Sequence, residues 1–475
     1  MSDILIAVLA IIFVLGVAIN IHEFGHFMIA KFFGMRVEAY SFFGLGPRVW
    51  GIKIGHTDYR ISAIPLGAYV KLYGDEATSS LEGGSSEAPK FEPIAAKFAI
   101  IEETPPMEME PVPESELYEL RPRWQKFLVM LGGPFMNIVL ALAIPFTIAL
   151  LYGVPSNPAP IVGSVRPTGA ADKAGIKIGD RIVNFDGVEN PSWDRVQDDA
   201  LLLPEKAVPI TVERNGQRAQ LTISPSKVTE HGQSGGFLDM APDTGTEPVV
   251  VGTVDEGMPA LASGVQKGDW ITSVNDKPIR NSQEMKTIVG EAKDQPIKLL
   301  ITRGNEKKEI VTHAVQKDND WRIGIAFDPT LLERREPVGI VGAASWAVDQ
   351  NLRILRLTGK AFGQVGTGER SARDTVSGPI GIGQIIVQTV FATGFVGLLS
   401  VLMAISLSLG VMNLLPIPML DGGQIMVLGV EKVMSWFGKT LSMVAKERIQ
   451  LTGLAIVLLL MVTVVFFDVS RLVSK

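Results

Sequence analysis

The chain carries His22-Glu23-Phe24-Gly25-His26 inside an apolar run from Ile4 to Ala30. On a helix, two histidines four residues apart share one face, where both imidazoles can bind one Zn²⁺. The glutamate beside them is then placed to deprotonate an attacking water. Ionisable side chains in a membrane span are rare, because a central charge costs ~2.5–3.5 kcal/mol on insertion scales. Three of them within five residues therefore point to metal-assisted hydrolysis in or at the edge of the bilayer.

Such a site needs a third protein ligand. Soluble zinc peptidases often supply a histidine six residues after the second one, but that position here is Phe32. Only His56, His231 and His313 remain, and there is no cysteine, so a carboxylate is expected. Asp421 is the first candidate. It follows Asn413-Leu414-Leu415-Pro416-Ile417-Pro418-Met419-Leu420, where two prolines end a long apolar run, and it precedes Gly422-Gly423. A second role for Asp421 is capping a helix that begins near Gln424. Glu38 is the alternative ligand.

The HExxH run, the Asn-x-x-Pro-x-Pro-x-x-Asp-Gly-Gly run over 413–423, and Gly132-Gly133-Pro134-Phe135-Met136-Asn137 together resemble the site-2 protease family of intramembrane zinc metalloproteases. The resemblance covers nearly the whole chain and is closest to bacterial members with two PDZ domains. It implies Zn²⁺ as cofactor, held by His22, His26 and Asp421, with Glu23 catalytic. It also implies a substrate class of single-span membrane proteins already trimmed outside the membrane, such as anti-sigma factors, and remnant signal peptides. Asn137 and Asn413, amides in apolar spans, are candidates to bind the substrate backbone or the oxyanion, with helix-to-helix bonding as the other reading. Pro416 and Pro418 join them as substrate-binding candidates.

Composition supports a membrane enzyme with a soluble insert. Mean hydropathy is +0.26 with 20% charged residues, and the apolar residues fall in blocks. Four spans are read at Ile4–Ala30, Phe127–Val154, Gly394–Leu415 and Leu451–Phe467. With four spans, the loops after the first and third lie on one side, so His26 and Asp421 meet there. Lys31, Arg36, Arg121, Arg123 and Lys126 crowd the first loop, and Lys432, Lys439, Lys446 and Arg448 fill the other. The positive-inside rule makes that face cytoplasmic, and the resemblance implies a bacterial inner membrane. A net charge of −6 argues against nucleic acid as a partner; lipid is the expected surround.

Between the second and third spans lies an internal repeat. Val162-Gly163-Ser164-Val165 recurs as Val251-Gly252-Thr253-Val254, Gly179-Asp180 as Gly268-Asp269, and Arg214 as Arg303, each pair 89 positions apart. Each copy reads as a PDZ-like α/β module, serving either as a peptide binder by strand addition or as a steric filter. Alternating residues around Gly55-His56-Thr57-Asp58 predict a membrane-associated β-hairpin, whose edge could accept an unwound substrate. From Asp75 to Glu119, twelve acidic residues face only Lys90 and Lys97, the composition of a flexible linker.

The sequence thus predicts a multi-pass α-helical membrane protein with four transmembrane helices, a membrane-associated β-hairpin and two inserted PDZ-like domains. Its segments are 1–32, the first span; 33–74, the hairpin region; 75–123, the acidic cytoplasmic linker; and 124–155, the second span. The modules occupy 158–228 and 245–317, followed by an extracytoplasmic amphipathic helical region at 331–393. The third span covers 394–423, a cytoplasmic helix and loop 424–448, and the fourth span 449–475. A non-catalytic scaffold built around the modules is the competing reading. A metal transporter fits less well, because the fourth span is almost wholly apolar. The chain has no native cysteine, so single-cysteine variants test the topology directly: a membrane-impermeant thiol reagent should label Gly232→Cys from outside the cytoplasmic membrane and leave Ser85→Cys untouched.

Overall fold

A computed structural model describes residues 2–42, 44–64, 67–74, 112–230, 233–243, 249–279, 281–304, 306–317, 320–327, 335–439 and 441–473. Most of the expected acidic linker lies outside the described residues. The chain divides into two compact units. The first comprises Met1–Thr147, Ala347–Asn351 and Ser377–Val469, and the second Ile148–Trp346, Leu352–Val376 and Ser470–Lys475.

Four helices are long and apolar enough to cross a membrane: Asp3–Phe32, Arg123–Tyr152, Pro379–Asn413 and Val444–Arg471. In the first unit, the first and third pack along each other. The apolar window of the fourth is only 6% buried by protein, which suits a helix surrounded by lipid.

The third helix extends ahead of the expected start at 394, where two helical segments meet. It begins at Pro379, and Gly394 is an internal break with φ 65° and ψ −148°. The start is set from elsewhere in the chain. Asp468, buried on the fourth span, accepts the backbone N–H groups of Gly378, Ile380 and Gly381. A carboxylate there satisfies the free donors of the helix N-terminus and opposes its dipole. Because the cap comes from another helix, no local capping residue marks the start.

The region after the first span is more than a hairpin. Strands β1 (Val37–Phe42), β2 (Leu45–Ile54), β3 (Thr57–Ile64) and β4 (Tyr69–Leu72) form one sheet in the order β2-β3-β1-β4. The predicted turn joins β2 and β3. Along that hairpin Val49, Trp50, Ile52, Ile54, Ile61 and Ile64 are exposed. The opposite end of the sheet is buried: Val37, Leu72 and Tyr118 pack with Ala30 of the first span and Val129 and Met130 of the second.

The second unit holds both repeats, each with its own core. Val162, Ile182, Phe185, Trp193, Ile210 and Val212 lie at the centre of the first, and Val251, Ile271, Met285, Ile297 and Ile301 at the centre of the second. Both modules run past their expected ends at 228 and 317. In the first, Met240–Pro242 pairs with Val162–Val165, and in the second, Ile325–Phe327 pairs with Val249–Val254. These closing strands are three residues long, too short to show alternation, and a hairpin precedes each.

The duplication extends to one buried ion pair per module. Arg214 grips Asp180 through two nitrogens at 2.7 Å and also donates to the Gly175 carbonyl. Arg303 repeats this with Asp269, at 2.6 and 2.8 Å, and with Gly264. The pair ties the strand carrying the arginine to the turn that opens the next strand, with bidentate geometry.

The region after the repeats holds the helix Ile340–Gly366. Its basic side faces the first module: Arg353 and Arg356 both bond Asp198, and Lys360 bonds Asp199. Both aspartates are buried and sit on the helix Trp193–Leu201. Buried carboxylates need such partners.

Burial alone raises the Asp180 carboxyl, but the Arg214 bonds and the Lys177 N–H outweigh it and hold the group below its ordinary range. Asp269 is held down in the same way by Arg303 and the Gln266 N–H, against burial. A lowered native pKa means the stabilisation is complete above the ordinary carboxylate range and disappears as pH falls through the lowered value. Limited proteolysis of the full chain at neutral pH should therefore open residues 158–243 in Asp180→Ala and residues 249–327 in Asp269→Ala, each leaving the other module protected. At a pH below both pKa values the variants should differ little from wild type.

Candidate metal centre

One turn of the first span sets two of the donors. His22 and His26 are buried on one helix face. The His26 Nδ1 lies 2.7 Å from the Val129 carbonyl oxygen, which can only accept. Nδ1 therefore carries the proton, and the Nε2 lone pair is left facing His22 and Asp421.

Asp421 arrives from a different element. The third helix ends at Asn413, and a short irregular turn leads to the helix Asp421–Trp436. Leu420 is the N-cap, so Asp421 occupies the first helical position and its carboxylate makes no capping bond. Met419 in that turn has φ 88°, a strained value for a residue with a side chain. Gly422 and Gly423 allow the new helix to press on the turn: a Cβ on either would lie 2.3 Å from the Leu414 oxygen or 2.1 Å from the Ile417 oxygen.

The three donors converge. His22 Nε2 is 3.1 Å from Asp421 Oδ2, His26 Nε2 is 3.5 Å from Oδ1, and the two Nε2 atoms are 3.2 Å apart. Ligands at about 2.0–2.1 Å from a tetrahedral zinc stand about 3.3 Å from one another, so the observed spacing fits one ion. Among the described residues, these three form the group of metal-type ligands. Glu38 is elsewhere, on β1, paired with Lys71 at 3.0 Å, and His56 and His313 are exposed.

Close helix crossing makes room for the cluster. A Cβ on Gly25 would stand 2.1 Å from the Gly132 oxygen, and one on Gly133 would stand 2.4 Å from His26 Nε2 and 2.8 Å from His22 Nε2. Gly133 thus leaves empty the volume that the ring nitrogens face. The spacing of the Gly132-Gly133 motif carries no information on this clearance, which only the packed helices show.

Glu23 is half-buried and lies near Val70 of β4. The two asparagines also reach the cluster. Asn137 is fully buried with its Nδ2 3.3 Å from His22 Nδ1, and Asn413 has its Nδ2 3.3 Å from His22 Nε2. Pro416 is exposed, and Pro418 packs so tightly on Gly453 of the fourth span that a Cβ on that glycine would meet the Pro418 oxygen at 2.3 Å.

This geometry defines a zinc-type hydrolytic centre within a bundle of membrane-spanning helices. Residues 10–460 match Peptidase family M50, and the chain belongs to that family. Relatives include the Regulator of sigma-E protease RseP of Salmonella typhimurium, 28% identical over 99% of this chain and 100% of its own, and that of Escherichia coli, 28% identical over 96% and 97%. A Neisseria meningitidis relative that carries the name of a zinc metalloprotease is 28% identical over 98% of this chain and 99% of its own. A solved PDZ domain from Listeria monocytogenes, 23% identical, matches 19% of this chain and 98% of its own with a TM-score of 0.17. The chain is a zinc metalloprotease of the site-2 protease type.

Gly133→Ala is the sharpest test of the space between the histidines. Alanine is the better helix former by about 1 kcal/mol, so any loss is steric. Zinc content of the purified protein should fall well below one ion per chain, as it should in Asp421→Ala, while Glu38→Ala should keep the wild-type content.

Proposed function

We propose that the chain is an intramembrane zinc endopeptidase that cuts transmembrane segments of single-span proteins already trimmed outside the membrane. Anti-sigma factors are the class suggested by the sigma-E protease relatives, with remnant signal peptides as a second class. The observation that carries the reading is the meeting of His22, His26 and Asp421 at zinc-ligand spacing, next to Glu23, in the span bundle. A zinc ion held by these three residues supplies Lewis acidity towards the scissile carbonyl and a more acidic water.

Glu23 is assigned as general base. It takes the proton of the attacking water and returns it to the leaving amine nitrogen. Asn413, whose amide nitrogen lies near both ring nitrogens of His22, is assigned to stabilise the oxyanion.

A helical substrate shields its own peptide bonds and must be unwound before hydrolysis, which leaves backbone groups unpaired in a dry setting. The sheet offers replacement partners. Among the described residues the outer strands in the order β2-β3-β1-β4 are β2 and β4, and β4 packs against the span that carries Glu23. Strand addition at β4 would present the scissile bond beside the base. The exposed apolar hairpin β2-β3 fits a role in the lipid interface. Basic loops support a cytoplasmic placement of this end, with the repeats outside.

For the repeats, one observation favours peptide binding over filtering. A cavity of about 1000 Å³ in the second unit lies between the closing strand Ile325–Phe327 and the helix Ser282–Ala292, lined by Met285, Val289, Ile325 and Phe327. The closing strand is at the sheet edge, so its free side can accept an added strand.

Glu23→Gln separates metal binding from proton transfer. Purified Glu23→Gln should retain about one zinc per chain, and cleavage of a trimmed single-span substrate should fall by at least about 100-fold. Loss of zinc with activity would place Glu23 among the ligands instead.

A further inference from the structure

His22 is the less constrained of the two histidines. His26 has its Nδ1 proton fixed by the Val129 carbonyl, whereas the Nδ1 of His22 faces a carboxamide, Asn137, at 3.3 Å. A carboxamide has a donor at one end and an acceptor at the other, so it does not fix the tautomer by itself. Asn137 is fully buried between helices, and its Oδ1 has no hydrogen-bond partner. Only the bond to His22 therefore favours one sense of the amide over the other.

With Nδ2 turned to the ring, as found here, Nδ1 of His22 must accept. The ring proton then sits on Nε2, the nitrogen that faces His26 and Asp421, and that lone pair is not free for an ion. A half-turn of the amide exchanges its two ends in nearly the same volume. Oδ1 then accepts from Nδ1–H, and the Nε2 lone pair is released. We infer that Asn137 is a positioning residue for the metal centre: its Oδ1 accepts from the Nδ1–H of His22 and so holds that ring in the tautomer that binds through Nε2. This rests on the assignment of His22, His26 and Asp421 as ligands. It separates two asparagines that the sequence leaves equivalent, since the Asn413 amide lies between both ring nitrogens, 3.3 Å from Nε2 and 3.5 Å from Nδ1, whereas Asn137 meets Nδ1 alone at 3.3 Å.

Ser406 donates to the Asn137 backbone oxygen at 2.9 Å, so the third span holds this residue through its main chain whatever its side chain. Substitution of the amide therefore probes the His22 contact with the interhelical bond left in place.

The test is zinc binding by metal-depleted, purified full-length protein, with Zn²⁺ titrated against a competing chelator. Asn137→Ala removes the acceptor and should weaken zinc binding about 10–100-fold, the usual range for loss of a histidine's outer partner. Asn137→Asp keeps an acceptor of nearly the same shape and should bind within about 3-fold of wild type or tighter, because a carboxylate raises the basicity of the ligand it holds. A purely structural role would not be rescued by aspartate, so equal losses in both variants overturn the inference. Wild-type affinity in Asn137→Ala overturns it too. If the wild-type protein itself binds no zinc, or binds it unchanged in His26→Ala, the ligand assignment has failed, and the inference with it.

Discussion

Everything in the membrane unit depends on holding two imidazoles and a carboxylate together where water cannot solvate them. An unpaired polar group at bilayer depth costs several kcal/mol, so each such atom needs either a protein partner or an ion. The Val129 carbonyl takes the Nδ1 proton of His26, and Asn137 stands at the Nδ1 of His22. What remains is a set of atoms aimed at one another, which is stable only with a cation or proton between them. Gly25 and Gly132 let the two helix backbones approach beside this set of ligands, and Gly133 leaves clearance for the two imidazoles.

Asp421 has to meet the pair without being carried on a rigid span. The chain solves this by ending the third helix, turning through a strained Met419 and restarting a helix at Asp421 itself. Such a turn is held by its neighbours: Gly422 and Gly423 seat the new helix against the turn, and Gly453 of the fourth span abuts Pro418. Strain of about 1–3 kcal/mol persists only where the surroundings over-determine it. The fourth span, mostly lipid-facing, thus contributes at two points, here and through the Asp468 cap on the third helix.

How much of this could be read from the sequence follows the range of the physics involved. His22, Glu23 and His26 were legible because i to i+4 spacing is local, and Asp421 because a cysteine-free chain with five histidines leaves few donors. The repeat was legible through its constant 89-residue offset, with Arg214 and Arg303 as its far ends. What could not be read was non-local. Asp468 caps a helix about ninety residues earlier, the closing strands at Met240 and Ile325 pair across whole modules, and β1 and β4 turn the expected hairpin into a sheet. Arg353 and Arg356 meet Asp198 from 155 and 158 positions away in the chain.

The central claim is that one zinc ion sits among two imidazoles and one carboxylate, with one position left open. Zinc X-ray absorption of the purified protein reports this directly. The account predicts about four nitrogen or oxygen neighbours at about 2.0–2.1 Å, with outer-shell scattering from two imidazole rings. Scattering from a single ring, or a coordination shell unchanged when Asp421 is replaced by alanine, would contradict it.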